Sequence, residues 1–163
     1  MFKVGILTVS DSGAKGARED KSGPFIEDFL HALGGFKVNK KSICPDEKED
    51  IRSILIDWVD NLKLDLIVTT GGTGLSPRDV TPEATKTVLD KEIPGIAEAI
   101  RIYGLNKTPR AMLSRAVAGS RKDTLIINLP GSLKAVEDGL NAIKDVLEHA
   151  ILKIKGDTRP CGE

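Results

Sequence analysis

The chain has 163 residues, 40% of them hydrophobic, which suits one domain with its own apolar core. Its 24 basic and 24 acidic side chains leave a formal net charge of zero, which argues against a broad nucleic-acid-binding face. No run approaches the ~18 apolar residues of a membrane span. The two cysteines, Cys44 and Cys161, have none of the ligand spacings of a structural zinc site, and the composition reads as cytoplasmic.

In chain order, Lys3 to Val9 is rich in β-branched residues and reads as a strand. Ser10-Asp11-Ser12-Gly13 then opens a polar loop to about Lys21. A helix is expected from Gly23 to Leu33, with Phe25, Ile26, Phe29, Leu30 and Leu33 on one stripe and Gly34-Gly35 as its stop. Phe36 to Ile43 alternates apolar and polar residues, as an edge strand does. Glu47 to Asn61 carries Ile51, Ile54, Leu55, Trp58 and Val59 at helical spacing. Leu64 to Thr69 is a continuous apolar strand of the kind found inside a parallel sheet. After a glycine loop, helices are expected from Pro82 to Asp90 and from Pro94 to Gly104, with a helical turn over Ala111 to Ser114. Short strands follow at Ala116 to Ala118 and Leu125 to Asn128, with Gly119 to Asp123 as the hairpin turn between them. A single long helix, Leu133 to Ile154, closes the chain. Residues 1–155 read as one domain and 156–163 as a tail.

This order predicts an α/β fold: a doubly wound, three-layer sandwich around a mostly parallel sheet, to which a C-terminal β-hairpin contributes. Ligands of such folds bind beyond the carboxyl ends of the strands, where strand order reverses. Four polar clusters follow strands here: Ser10-Asp11-Ser12, Pro45-Asp46-Glu47, the loop Thr70 to Asp79, and Pro130-Gly131-Ser132. Parallel strands bring all four to one edge of the sheet.

The central loop reads Thr70-Gly71-Gly72-Thr73-Gly74-Leu75-Ser76-Pro77-Arg78-Asp79 and runs into Val80-Thr81-Pro82-Glu83. Three glycines permit positive φ and let backbone N–H groups approach an anion. The pattern is neither a P-loop nor a dinucleotide-binding fingerprint. Arg78 adds a fixed positive charge for a phosphate, and Asp79 a hard carboxylate. Thr81 suits a helix N-cap and Pro82 the first turn. Asp46 and Asp79 together would make a magnesium site when a substrate supplies phosphate oxygens. The bland reading of Asp46 is a helix cap in Asp46-Glu47-Lys48-Glu49, and Asp11 could equally cap its own loop. Ser132 could simply cap the last helix, a role that also aims N–H groups at an anion. His31, His149 and Trp58 fit helix faces and carry no functional signal.

Thr70 to Gly74, Arg78-Asp79, Thr81-Pro82-Glu83-Ala84 and Leu129-Pro130-Gly131-Ser132 resemble the molybdopterin-binding family of molybdenum-cofactor biosynthesis. The likeness extends from the first strand to the last helix and is nearest to the bacterial adenylyltransferase branch; the same domain forms the first part of gephyrin. Family members often have proline directly after the Pro-Gly-Ser element, whereas Leu133-Lys134 follow here. The resemblance implies transfer of AMP from Mg-ATP to the terminal phosphate of molybdopterin, with release of pyrophosphate. It implies Asp46 and Asp79 as the functional acidic pair holding Mg²⁺. It also implies that Ser10, Asp11, the glycine loop and Ser132 bind substrate, that the protein is a homotrimer, and that a separate molybdate-inserting enzyme acts downstream. A non-catalytic molybdopterin-binding or scaffold module, and a pyrophosphate hydrolase, remain as alternatives.

Overall fold

The computed structural model describes residues 1–162. Its strands are β1 (Phe2–Val9), β2 (Phe36–Cys44), β3 (Leu66–Thr70), β4 (Lys91–Glu92), β5 (Ala118–Arg121) and β6 (Thr124–Leu129). They form one sheet in the order β2-β1-β3-β6-β5-β4. The first four strands in that order are mutually parallel; β5 pairs antiparallel with β6, and β4 antiparallel with β5. The helices are α1 (Asp11–Ala14), α2 (Ser22–Leu33), α3 (Lys48–Asp60), α4 (Thr81–Lys86), α5 (Pro94–Leu105), α6 (Leu133–Ile143) and α7 (Leu147–Ile154), with a 3₁₀ turn at Pro109–Leu113.

Strand periodicity explains the two layers of helices, since successive side chains point to opposite faces. Val4, Ile6, Leu66, Val68, Leu125 and Ile127 pack on one face against Ile26 and Leu30 of α2, Ile96 and Ile100 of α5, Val136 and Leu140 of α6 and Ile151 of α7. Leu7, Ile67 and Ile126 pack on the other face against Ile51, Leu55 and Trp58 of α3 and Ala84 of α4. Full burial of a Leu or Ile contributes about 1.5–3 kcal/mol, so the strands apolar on both faces carry much of the stability. Gly5 lies under Trp58: a Cβ there would meet the indole at 2.6 Å. The two edges of the sheet differ. β2 carries Lys37, Lys40 and Lys41, all exposed, and β4 is only two residues long.

The doubly wound α/β architecture, the edge position of β2 and the hairpin contribution match the expectation from sequence. Four details differ. Asp11–Ala14 is a helical turn rather than loop, because the Ser10 hydroxyl accepts the Gly13 N–H at 3.0 Å and nucleates it. The helix expected to Asp90 ends at Lys86, since the chain must extend to pair β4 with β5. The hairpin strand is β5, and the turn is Lys122-Asp123, with Lys122 at φ 49° and its N–H held by Asp90 Oδ2 at 2.7 Å. Gly119 therefore sits in a strand, where a Cβ would meet the Lys91 carbonyl at 2.3 Å. The long final helix is two helices. Val146 N–H donates back to Ile143 O at 3.0 Å, and this tighter turn re-aims Leu147 and Ile151 onto the core.

Candidate active site

Strand order reverses between β1 and β3: β2 lies on one side of β1, while β3 and then β6 lie on the other. The carboxyl ends of these strands deliver Ser10, Asp46, the glycine loop and the Pro130-Gly131-Ser132 turn to one edge. Two clefts open there. The first, about 700 Å³, is lined by Ser10, Asp20, Asp46, Thr70 and Gly71 among others. The second, about 680 Å³, is lined by Thr73, Gly74, Pro130 and the cations Arg101, Lys107, Arg110 and Lys134 among others. Gly72, Asp79, Gly131 and Ser132 line both, so the clefts meet on a shared floor.

The floor is built by backbone that only glycine allows. Gly71 has φ 98°, and a Cβ there would meet the Val9 carbonyl oxygen at 2.3 Å. Gly72 has φ 69° and would meet Thr81 Oγ1 at 2.3 Å and Asp46 Oδ1 at 3.0 Å. Beneath the loop, Gly71 N–H donates to Leu129 O at 3.1 Å and Thr70 Oγ1 to Pro130 O at 2.8 Å, which couples the glycine loop to the Pro-Gly-Ser turn. The amides of Gly72, Thr73, Gly74 and Leu75 donate to nothing among the described residues. Four such successive donors are the material of an anion site.

Asp46 is not a helix cap. The residue flanking α3 is Glu47, which makes no side-chain cap. Instead Asp46 Oδ2 accepts the Asp11 N–H at 2.9 Å, and Asp11 Oδ1 accepts the Asp46 N–H at 3.0 Å. This reciprocal pair locks the ends of β1 and β2 together and leaves Asp46 Oδ1 toward Gly72. Burial raises the Asp46 carboxyl above its ordinary pKa, and the charges of Asp11 and Asp79 add to that shift. Asp79 is held by the Ser76 N–H on its Oδ2 at 2.9 Å. Asp46 and Asp79 thus face one floor from two loops, close enough to repel one another. Two hard carboxylates in that position suit a magnesium ion that takes its remaining ligands from phosphate and water. No group of three or more His, Cys, Asp or Glu positioned for a metal exists among the described residues.

Other residues picked out in the sequence are placed differently. Arg78 lines neither cleft. Its guanidinium pairs with Asp11 at 3.1 and 3.0 Å and with Glu47 at 2.9 Å. Arg78 holds the Asp11 carboxyl below the usual range. Asp11 and Arg78 therefore brace the loops around Asp46. Thr81 does not cap α4: it is the first helical residue, and its hydroxyl donates to Gly71 O at 3.0 Å. Ser10 and Ser132 each cap a helix and still line a cleft. Cys44 is buried, which pushes its thiol up to about 12, so it packs rather than reacts.

The family described as "Probable molybdopterin binding domain" matches residues 5–149. The chain belongs to this family. It is 41% identical over 156 residues to the molybdopterin adenylyltransferase of Helicobacter pylori (strain J99), covering 94% of this chain and 88% of that protein. It is 43% identical to gephyrin of Dictyostelium discoideum over 91% of this chain but only 22% of gephyrin, and it likewise spans 26% of the cinnamon protein of Drosophila melanogaster. Among solved structures, the molybdopterin biosynthesis enzyme MoaB of Thermus thermophilus superposes with a TM-score of 0.89 at 51% identity, covering 96% of this chain and 98% of that one.

Three residues of this molybdopterin-binding domain carry no local sequence signal. Asn128, fully buried, donates to Thr69 Oγ1 at 2.9 Å and Thr85 Oγ1 at 3.0 Å and accepts the Val117 N–H at 3.2 Å, pinning α4 to the sheet below the loop. Asp20 accepts from the Thr8 hydroxyl at 2.9 Å and the Gly23 N–H at 3.0 Å, seating α2 against the first cleft. Arg115 gathers the glycine loop from behind.

Proposed function

We infer that the chain is a molybdopterin adenylyltransferase, which transfers AMP from Mg-ATP to the terminal phosphate of molybdopterin. The observation that carries this reading is the pair of clefts meeting on one floor of unbonded amides flanked by Asp46 and Asp79. Each cleft has room for one reactant. A common floor brings the reacting ends of the two together. A phosphate oxygen of the pterin attacks the α-phosphorus of ATP, the bond to the β-phosphate oxygen breaks, and pyrophosphate leaves. No protein nucleophile is needed, only positioning and charge neutralisation.

Within that reaction the Gly72 to Leu75 amides and the α6 N-terminus at Ser132 hold phosphate oxygens. Asp46 and Asp79 would hold Mg²⁺, which when bound neutralises the triphosphate. The reading extends to a homotrimer and to hand-over of the adenylylated product to a molybdate-inserting enzyme. The test is incubation of the purified protein with molybdopterin and Mg-ATP, following adenylylated pterin and pyrophosphate together. Stoichiometric formation of both is expected. Tight pterin binding without pyrophosphate would favour the binding-module alternative.

A further inference from the structure

Arg115 lies 36 residues beyond Asp79, just before β5, and lines neither cleft. Yet it makes four contacts to the loop and the helix that follows. Its backbone N–H donates to Thr73 O at 2.9 Å, its Nε to Gly74 O at 2.8 Å and its Nη2 to Asp79 O at 2.8 Å. Its Nη1 pairs with Glu83 Oε1 in the first turn of α4. The span between these anchors, Leu75 to Arg78, is exposed and is otherwise held by two bonds between Ser76 and Asp79 and by the pairing of Arg78 with Asp11 and Glu47. The Thr73 and Gly74 carbonyls accept no hydrogen bond but those of Arg115 among the described residues.

We propose that Arg115 is a positioning residue for the transfer reaction, fixing both the Asp79 carboxylate and the direction of the anion-binding amides. The proposal rests on the adenylyl-transfer reading and deepens it. In a trans peptide the carbonyl and the following N–H point opposite ways. With the Thr73 and Gly74 carbonyls drawn to Arg115, the N–H groups of Gly74 and Leu75 face away from it, and neither has another partner among the described residues. A guanidinium presents several donors in one rigid plane, so a single side chain bonds Gly74 O, Asp79 O and Glu83 at once. Lysine has the charge but not the fork. The carboxylate of Asp79 follows its own backbone: Arg115 holds the carbonyl while Ser76 N–H holds the side chain. A shift of about 1 Å in such a group costs on the order of 100-fold in rate.

The test compares Arg115→Lys, Arg115→Ala and Glu83→Gln with wild type. Expected are a kcat at least tenfold lower in both Arg115 variants and a Mg²⁺ half-saturation at least fivefold higher. Arg115→Ala added to Asp79→Asn should slow the enzyme by less than the product of the two separate losses, because part of what Arg115 does passes through Asp79. Multiplicative losses in that double variant, or an unchanged Mg²⁺ half-saturation, would overturn the proposal. Should Arg115→Ala fail to fold, Arg115→Lys and Glu83→Gln carry the same comparison. Amide exchange in the substrate-free protein supplies a readout independent of activity. The bonded N–H groups of Ser76, Asp79 and Thr81 should exchange at least tenfold faster in Arg115→Lys; unchanged exchange there refutes the proposal. A wild-type protein that makes no adenylylated pterin would instead sink the functional reading, and the exchange result would still decide the role of Arg115 in holding the loop.

Discussion

At the residue scale, the site depends on two carboxylates held in a costly arrangement. Asp46 is half-buried beside two other negative charges, and ionisation is opposed there. Asp46→Asn removes that repulsion while keeping an oxygen to accept the Asp11 N–H. It is expected to hold or raise the Tm and to lower adenylyl transfer at least tenfold, a loss of about 1.4 kcal/mol of transition-state stabilisation. Asp79→Asn should lower turnover comparably. Thermal melts and initial rates on the same preparations check both; near-normal turnover in Asp46→Asn would return that residue to a structural role. On the proposed function, the same charges should make ATP affinity depend on a divalent ion. Calorimetric titration should give ATP binding at least tenfold weaker in EDTA than in Mg²⁺, whereas molybdopterin, with one phosphate for the free amides, should bind alike in both.

At the element scale, ion pairs tie the far end of the sheet together. Asp60 at the end of α3 bonds Arg121 of the β5–β6 hairpin at 3.2 and 3.0 Å and Lys122 at 3.0 Å. Arg121 first, then Lys122, lowers the Asp60 carboxyl to about 2. A depressed carboxyl contributes stability that is present above its unfolded pKa and is lost as pH falls through its folded value. Asp60→Asn should therefore melt below wild type at pH 7, and the gap should close as pH falls from the usual carboxylate range toward 2. Melting curves across that range decide it; a constant gap would mean that packing, not charge, is at stake. The apolar strands were legible in the sequence because burial on both faces leaves an unbroken apolar run, as in Leu66 to Val68. The glycine loop was legible because Gly71 and Gly72 need backbone that other residues resist. The strand at Gly119 to Arg121 was not, since its polar residues look like a turn until β4 is seen to pair with them. Asn128 and Arg115 were also hidden: their partners lie dozens of residues away, and no local pattern encodes such a contact. The cap alternative for Asp46 arose for the opposite reason, a local pattern that a long-range partner, Asp11, overrides.

At the scale of the whole molecule, the proposed trimer has a candidate face. α5 and the 3₁₀ turn pack together and leave Ile102, Leu105, Met112 and Leu113 in solvent, the first and third at 62% exposure each. Exposed apolar side chains on two packed elements are where such a trimer would be expected to join. Sedimentation at micromolar concentration is expected to give a trimer, and Ile102→Glu with Met112→Glu to give monomers; a monomeric wild type would refute the assignment. The lysines of β2 and the two-residue length of β4 bear on how any such assembly forms. A bare sheet margin recruits strands from neighbouring chains, and charge or brevity at the margin prevents it. Both margins here are guarded, so the proposed trimer would assemble through helix faces, which dock and part as folded units. Crowding of the folded protein then finds no bare margin to serve as a template for fibril growth, and association on that proposal is expected to be reversible.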